Sequence, residues 1–382
     1  MIMWRAAAVW VCVLGCTLTH AERAEDGKPL PRVTVDLSLP PEHRWDAAIA
    51  ARAEQLDTTI AYILSLIPEV AHHAVEEVAE ELLSNTKTPE WARLEMQGVA
   101  RAMNRTFDEA LLLNLFFEIT PMCTSIVLEA PDGSMHHARN MDFGVGLPGL
   151  GANLRSIAVT ADFIPRPGAA PIFTGVMYTG YIGVHTGEAL NRLSVTVNER
   201  EMTGMIPLPN MAKSLLNLLS ALRRAGALPV TWVVREALES PDVGFDEAVD
   251  TLANHRLLSQ AYLIVGGAKS GQGAVLVRDH DSLISKRTLG QQGGRNADPW
   301  FLVQTNYDHA GAGDPPWDDR RTVAEKALNE VGQANAAKSL YGILSQKPVL
   351  NAITIFTAVI SVPDNMLNAS ARVCQGSGCS PF

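Results

Sequence analysis

Residues Cys123 to Gly144 read CTSIVLEAPDGSMHHARNMDFG. Apolar and polar residues alternate from Cys123 to Ala130, Pro131-Asp132-Gly133 supplies turn chemistry, and a second short run ends in Arg139, Asn140 and Asp142. This pattern predicts a β-hairpin whose first strand begins with a thiol. Spacing alone supports two readings of Cys123 equally well. It is either a buried structural cysteine, because free Cys behaves as a small hydrophobe, or a nucleophile. The functional reading gains from Met122 before it, from Thr124 and Ser125 after it, and from Arg139 and Asp142 on the returning strand. Cutting the chain between Met122 and Cys123 puts an α-amine on the residue that carries the thiol, so one residue supplies both nucleophile and base. Arg139 and Asp142 are three positions apart and fall on opposite faces of a regular strand. Both reach one site only if the strand ends or bulges near Asn140-Met141. An ordinary solvated ion pair is the plainer alternative.

The chain outward from the hairpin has two halves of different character. Upstream, extended Pro-rich sequence from 22 to 41 contains a possible strand at 33–37. Helical periodicity follows over 44–66, 69–84, 89–104 and 107–120. Thr106-Phe107-Asp108-Glu109 reads as a capping box, and Pro89 suits a first turn. The segment around Leu111–Phe117 is apolar nearly all round, which predicts burial or the lining of an apolar pocket. Downstream, strands are expected at 123–130, 134–142, 154–164, 171–178, 192–198, 261–267, 273–278, 300–305 and 352–361. Helices are expected at 211–224, 230–239, 245–255, 320–331 and 336–345. Strands and helices grouped without strict alternation indicate an α+β layered fold with antiparallel sheets.

The 382 residues, 47% hydrophobic, are enough for a substantial core. A net charge of -10 without Lys/Arg-rich runs excludes nucleic acid as the main partner and leaves small molecules, lipids or proteins. Residues 1–21 carry Arg5, an apolar run from Ala6 to Leu18 and small or polar residues at Thr19-His20-Ala21, the layout of a secretory signal peptide. Beyond it three of the five cysteines remain. In an oxidising compartment Cys374 and Cys379 can close a small terminal loop, which leaves Cys123 unpaired. Asn104-Arg105-Thr106 and Asn368-Ala369-Ser370 are glycosylation sequons. Gly144 to Gly149 spells GxGxxG but is interrupted by Pro148 and reads as a loop. The adjacent pairs His72-His73 and His136-His137 lack further ligands at metal spacing, so no metal and no cofactor is expected.

Seven ordered motifs carry a family resemblance: the hairpin itself, GYIGVHTG from Gly180, SVTVNER from Ser194, YLIVGG from Tyr262, VQTNYD from Val303, DDRRT from Asp318 and KPVLN from Lys347. With LSLPPEHRW from Leu37 and LFFEITPMCTSI from Leu115, the chain resembles the acid ceramidase and N-acylethanolamine acid amidase family almost throughout. The resemblance implies a four-layer αββα N-terminal-nucleophile hydrolase fold with a helical N-terminal segment. It also implies a secreted precursor that cuts itself at Met122–Cys123 in the acidic lysosome. Residues 22–122 then form a helical alpha subunit and 123–382 the catalytic beta subunit of a heterodimer.

The same resemblance implies site roles. Cys123 is the nucleophile, Arg139 positions substrate and terminus, and Asp142 accepts a hydrogen bond from the α-amine. Asn306 stabilises the oxyanion, with Glu199 and Arg320 as supporting polar residues. The substrate it implies is ceramide, with an N-acylethanolamine as the alternative. Leu112, Leu115 and Phe116 are candidates for an acyl-chain groove on apolarity alone, and the same surface suggests peripheral contact with a membrane or a lipid-presenting protein. No cysteine lies between the signal and Cys123, so no disulfide can join the two segments and packing alone is expected to hold them. A penicillin V acylase or bile-salt hydrolase type of amidase is the enzyme rival. A non-catalytic lipid-binding protein is the rival from another class.

Overall fold

The computed structural model describes residues 26–66, 88–116, 121–144, 147–200, 226–290, 300–309 and 314–380, with scattered positions between 73 and 80. The signal segment, the helix expected at 211–224 and most of the one expected at 69–84 lie outside the described residues.

The N-terminal segment begins with β1 (Arg32–Asp36) and a short 3-10 turn at Pro41–His43, then forms α1 (Asp46–Ala50), α2 (Ala53–Ser65), α3 (Glu90–Ala102) and α4 (Phe107–Phe116). The single helix expected over 44–66 is two. The chain breaks at Arg52, whose guanidinium reaches out to the Ser156 carbonyl at 2.8 Å. The capping box is present: Thr106 N–H donates to Glu109 Oε2 at 3.0 Å, and Glu109 N–H donates to Thr106 Oγ1 at 3.4 Å. Ala110 to Leu113 and Leu115 are all buried, as the all-round apolarity of α4 requires.

The hairpin follows as β2 (Pro121–Glu129) and β3 (Met135–Phe143). Gly133 takes φ 82° at its turn, and Asp132 Oδ1 accepts from Ser134 N–H at 2.9 Å. Next come α5 (Leu150–Ile157), β4 (Ala158–Ile164), β5 (Phe173–Tyr178), β6 (Thr186–Ala189) and β7 (Leu193–Glu199). The strand expected at 154–164 starts only at Ala158. The preceding residues are helical because Leu150, Leu154 and Ile157, at helical spacing, are the buried ones. The remainder comprises α6 (Val230–Glu239), α7 (Phe245–Asn254), β8 (Ala261–Gly267), β9 (Gly273–Arg278), β10 (Leu283–Thr288), β11 (Phe301–Gln304), α8 (Arg320–Val331), α9 (Gln333–Ile343), β12 (Thr354–Ser361) and β13 (Met366–Ala371).

These strands make two stacked sheets. One has eight strands in the order β1-β4-β5-β6-β7-β8-β9-β10, and the other has five in the order β11-β2-β3-β12-β13. Side chains alternate across β2 and divide the layers. Val127 packs with Tyr262, Ile264 and Val275 between the sheets, while Ile126 and Leu128 pack outward against Ala324, Leu328 and Leu340 of α8 and α9. Buried residues of α6 and α7 join the core of the larger sheet from its far side. The result is the α+β, four-layer αββα arrangement expected of the resemblance.

The N-terminal segment is built into this body. β1 pairs in parallel with β4 at the edge of the larger sheet. Tyr62 OH donates to the Pro148 carbonyl at 2.6 Å. Glu95 of α3 is wholly buried and accepts from Nη1 and Nη2 of Arg235 on α6, at 2.5 and 2.6 Å. The expectation that packing alone holds the two segments is therefore corrected, because strand pairing and a buried ion pair hold them too.

Glu188 on β6 adds a pH dependence. It is 1% exposed, and one of its carboxyl oxygens has no hydrogen-bond partner. Burial pushes its pKa up to about 8 from 4.5, against the pull of the Met366 N–H and Arg32, while Asp364 adds to the rise. A carboxyl whose pKa rises on folding favours the folded state while protonated, and that contribution is lost as pH climbs from the ordinary value through the raised one. The melting temperature is expected to fall between about pH 4.5 and about pH 8, and Glu188→Gln should flatten that fall. An unchanged slope in a calorimetric pH series of the variant would assign it to another group.

Candidate active site

Cys123, the third residue of β2, points between the sheets and is 0% exposed. It is the free cysteine among the described residues, since Cys374 and Cys379 are joined in a disulfide. The hairpin register pairs Cys123 with Met141, Ser125 with Arg139 and Met122 with Asp142. Arg139 and Met141 therefore share the face of the thiol. Arg139 Nη2 donates to Cys123 Sγ, and Nη1 donates to the His185 carbonyl at 3.1 Å and to Thr186 Oγ1 at 2.9 Å. Met141 Sδ lies 3.8 Å from Cys123 Sγ.

Asp142 takes the other face, toward the α8–α9 layer. The β2–β3 register runs without a bulge through 139–142, and the irregularity lies on β12 between Thr354 and Phe356. The bulge that would bring both charges onto one face is absent. Asp142 instead meets Cys123 through Arg320, the first residue of α8. Arg320 Nη1 donates to the Cys123 carbonyl at 3.1 Å and to Asp142 Oδ2 at 3.2 Å. Its Nη2 reaches Asn306 Oδ1 at 3.1 Å, and Asp318 fixes the guanidinium with contacts of 2.9 and 2.6 Å. Asn351, from the KPVLN motif, donates to Asp142 Oδ2 at 3.1 Å.

Asn306 closes the site from the end of β11. Its Oδ1 accepts the Cys123 N–H at 2.9 Å, and its Nδ2 donates to the Glu199 main-chain carbonyl at 2.8 Å. Glu199 enters this arrangement through its backbone. Beneath the thiol a neutral polar chain ties the sheets together: Asn198 Nδ2 donates to the Gln304 carbonyl at 2.8 Å, Ser125 Oγ donates to Asn198 Oδ1 at 2.8 Å, and Thr196 Oγ1 donates to Ser125 Oγ at 2.9 Å. His137 ends this chain between Thr196 and Ser194, and burial together with the nearby Arg139 charge lowers its pKa to about 3.

Electrostatics keep the Cys123 thiol neutral. Burial pushes the Cys123 thiol up to about 11, with Arg139 and Arg320 pulling it down and Asp142 pushing it up. Burial also raises the Asp142 carboxyl, against Arg320, Thr354, Asn351 and Arg139. Such a site holds a neutral thiol against the Arg139 guanidinium, with that of Arg320 on the carbonyl of the same residue.

Among the residues singled out in the sequence, Cys123, Arg139, Asp142, Asn306, Arg320 and the Glu199 backbone converge within a few hydrogen bonds. Leu112 and Leu115 are each 1% exposed and belong to the largest apolar cluster, and the Phe116 side chain lies outside the described residues. Asn104 and Asn368 are exposed. Sequence reasoning passed over Asn351, Asp318, Thr186 and Asn198, although each stands inside or beside a quoted motif. Among the described residues no group of three or more His, Cys, Asp or Glu is placed to hold a metal ion.

Residues 28–86 match the family described as the beta subunit of N-acylethanolamine-hydrolyzing acid amidase. The match lies wholly upstream of Cys123, so that description gives the name beta to the segment the resemblance led us to call alpha. The chain is 32% identical to the acid ceramidase of Rattus norvegicus over 364 residues, 91% of this chain and 87% of that protein. The Homo sapiens acid ceramidase is 32% identical over 369 residues, 90% of this chain and 87% of that one. A solved Caenorhabditis elegans N-acylethanolamine-hydrolyzing acid amidase (NAAA) ortholog superposes with a TM-score of 0.51 at 30% identity, covering 63% of this chain and 93% of that chain. With this identity across 91% of its length, and a site built around an unpaired cysteine at the expected place, the chain belongs to the amidohydrolase family of acid ceramidases and N-acylethanolamine acid amidases.

Proposed function

We propose that this chain is a lysosomal, glycosylated hydrolase of N-acyl amide lipids, made as a secreted precursor and activated by its own cut at Met122–Cys123. The observation that carries the reading is Cys123 itself: wholly buried in the uncut chain, in contact with Arg139, and held at its nitrogen by Asn306 and at its carbonyl by Arg320. In the activating step Cys123 Sγ attacks the Met122 carbonyl carbon and the C–N bond breaks. The thiol proton passes to the departing nitrogen, and water then hydrolyses the thioester to leave Met122 as a carboxylate. The same thiol, now beside its own α-amine, attacks the lipid amide. The released amine takes a proton, and a second water frees the fatty acid.

The residues around the terminus suit these steps. Asn306 Nδ2 is a neutral donor for a tetrahedral oxyanion, a role whose removal typically costs about 2.7–4 kcal/mol of barrier. Arg139 and Arg320 place positive charge beside the terminus, which favours a neutral amine and an ionised thiol in an acidic compartment. Asp142 pulls the amine the other way and keeps it within proton-accepting range.

Ceramide is the substrate this reading favours, because the relatives matched over 91% of the chain are named acid ceramidases. The N-acylethanolamine alternative rests on the description of the family match and on the solved relative. Assaying the purified, acid-incubated protein on both lipids separates them. A higher kcat/KM for ceramide is expected, the reverse order would move the chain to the second reading, and no release from either would end both.

A further inference from the structure

We propose that Asn114, in the segment upstream of the cut, is a positioning residue that sets Arg139 against the nucleophile. The inference rests on the assignment of Cys123 as nucleophile under the proposed function, and gives the upstream helices a part in the chemistry of the mature enzyme.

Asn114 is the polar interruption in the apolar helix α4, and it is 3% exposed. Its carboxamide takes the place of a strand partner for the connection between β5 and β6. Asn114 Nδ2 donates to the Gly180 carbonyl at 3.2 Å and to the Ala110 carbonyl at 2.9 Å, while Oδ1 accepts the Ile182 N–H at 2.9 Å. Gly180 has φ 84°, and an added Cβ there would meet Met103 Sδ at 3.3 Å, so this bend too is seated against the upstream segment.

From Ile182 the connection leads tightly to the arginine. The Ile182 carbonyl accepts from Arg235 Nη1 at 3.0 Å, and Val184 N–H donates to the Thr231 carbonyl at 3.1 Å. A Cβ on Gly183 would lie 2.2 Å from Thr231 Oγ1, which shows how closely the backbone is pressed onto α6. The next residues, His185 and Thr186, provide the carbonyl and hydroxyl that take both Nη1 contacts of Arg139. Arg139 forms no ion pair with a carboxylate among the described residues, and its Nε lacks a hydrogen-bond partner. Besides Met141 Sδ at 3.5 Å and the Phe356 ring, its place over Cys123 Sγ therefore depends on neutral acceptors at 185–186, and through them on the anchor at Asn114. A shift of about 1 Å in such a group can cost on the order of 100-fold in rate.

The test uses the full-length chain, processed at acid pH, as wild type, Asn114→Ala, Asn114→Asp and Met96→Ala. Met96 is buried on α3 and touches neither Asn114's hydrogen bonds nor the thiol's, so its variant serves as the control for lost stability. Two rates are read: kcat against KM for the lipid, and alkylation of Cys123 by iodoacetamide across pH. Asn114→Ala should lose about 10- to 100-fold in kcat with KM little changed, and the inflection of its alkylation profile should move to higher pH because Arg139 no longer supports the thiolate. Asn114→Asp should recover in part at acid pH, where its protonated carboxyl accepts from Ile182 N–H and makes one of the amide's two donations, and fail as that group ionises. The same kcat and alkylation profile in Asn114→Ala as in Met96→Ala would overturn the proposal, as would an Asp variant that tracks the wild type at every pH. The alkylation arm reads the thiol directly and decides on Asn114 without lipid turnover. An alkylated wild type that still hydrolyses lipid would instead remove Cys123 as the nucleophile.

Discussion

Cys123→Ala is expected to give a folded, uncut chain with no measurable lipid hydrolysis. The thiol contributes little to the fold, since its contacts are Arg139 Nη2, the Asp142 backbone, Met141 Sδ at 3.8 Å and the Val197 carbonyl at 3.8 Å. The backbone anchors on Cys123, from Asn306 and Arg320, survive the substitution. Both the cut and the turnover need a covalent bond to Sγ, so one atom removes two activities. Loss of a nucleophile of this kind lowers kcat by about a million-fold in a comparable hydrolase. The check is a denaturing gel and intact mass of wild type and variant after the same acid incubation, with hydrolysis measured in parallel. A variant that is cut at 122–123, or that turns over lipid at a tenth of the wild-type rate, is incompatible with the mechanism. A lipid-binding protein without catalysis would show no difference between the two in either assay.

Glu95→Gln is expected to be the most damaging substitution outside the site. Glu95 has its side chain fully buried and takes four donated bonds, two from Arg235, one from Arg44 Nη1 at 3.0 Å and one from Trp45 Nε1 at 2.8 Å. The Arg235 guanidinium also lies 4.3 Å from the Trp91 ring centre and 5.0 Å from that of Phe163. Burial works against its charge, and Glu95 together with Glu239 more than offsets this, so the pKa of Arg235 stays raised. Neutralising Glu95 keeps the shape and leaves the buried guanidinium only the partly exposed Glu239, 3.4 Å from its Nε, as counter-charge. Breaking a buried pair from one side typically destabilises by about 3–5 kcal/mol. Because Arg44, Trp45, Trp91 and Glu95 lie upstream of the cut and Phe163 and Arg235 downstream, the loss should be larger after cleavage than before. Thermal unfolding of the variant before and after acid processing measures this, with release of the upstream segment on size-exclusion chromatography as the second readout. Equal, small losses in both forms would show that strand pairing at β1 and β4 holds the segments without the ion pair.

Much of this architecture is legible in the sequence because short-range physics set it. Pro131-Asp132-Gly133 between two alternating runs specifies the hairpin, and the two-residue period of a strand decides which face each side chain takes. That same period places Arg139 with the thiol and Asp142 away from it. What spacing cannot supply is Arg320, which arrives from 178 positions beyond Asp142 and joins the two faces through the backbone of Cys123. The strands that escaped notice are those with weak alternation. β6 is Thr-Gly-Glu-Ala, β10 exposes Leu283 and Ile284, and β13 exposes Asn368. Each owes its conformation to pairing with neighbours, which overrides modest intrinsic preference. Asn351 and Asn114 were hidden for a related reason. An Asn in a loop motif or an apolar helix looks like an interruption until the carbonyls and carboxylates that it serves are in view.

The central claim is that Cys123 becomes a chain terminus. Incubating the purified precursor at acidic pH and sequencing the N-termini of the products measures this directly. The account requires a new fragment that begins Cys123-Thr124-Ser125 and appears in step with lipid hydrolysis. Hydrolysis by a chain in which Met122 and Cys123 remain joined would contradict it.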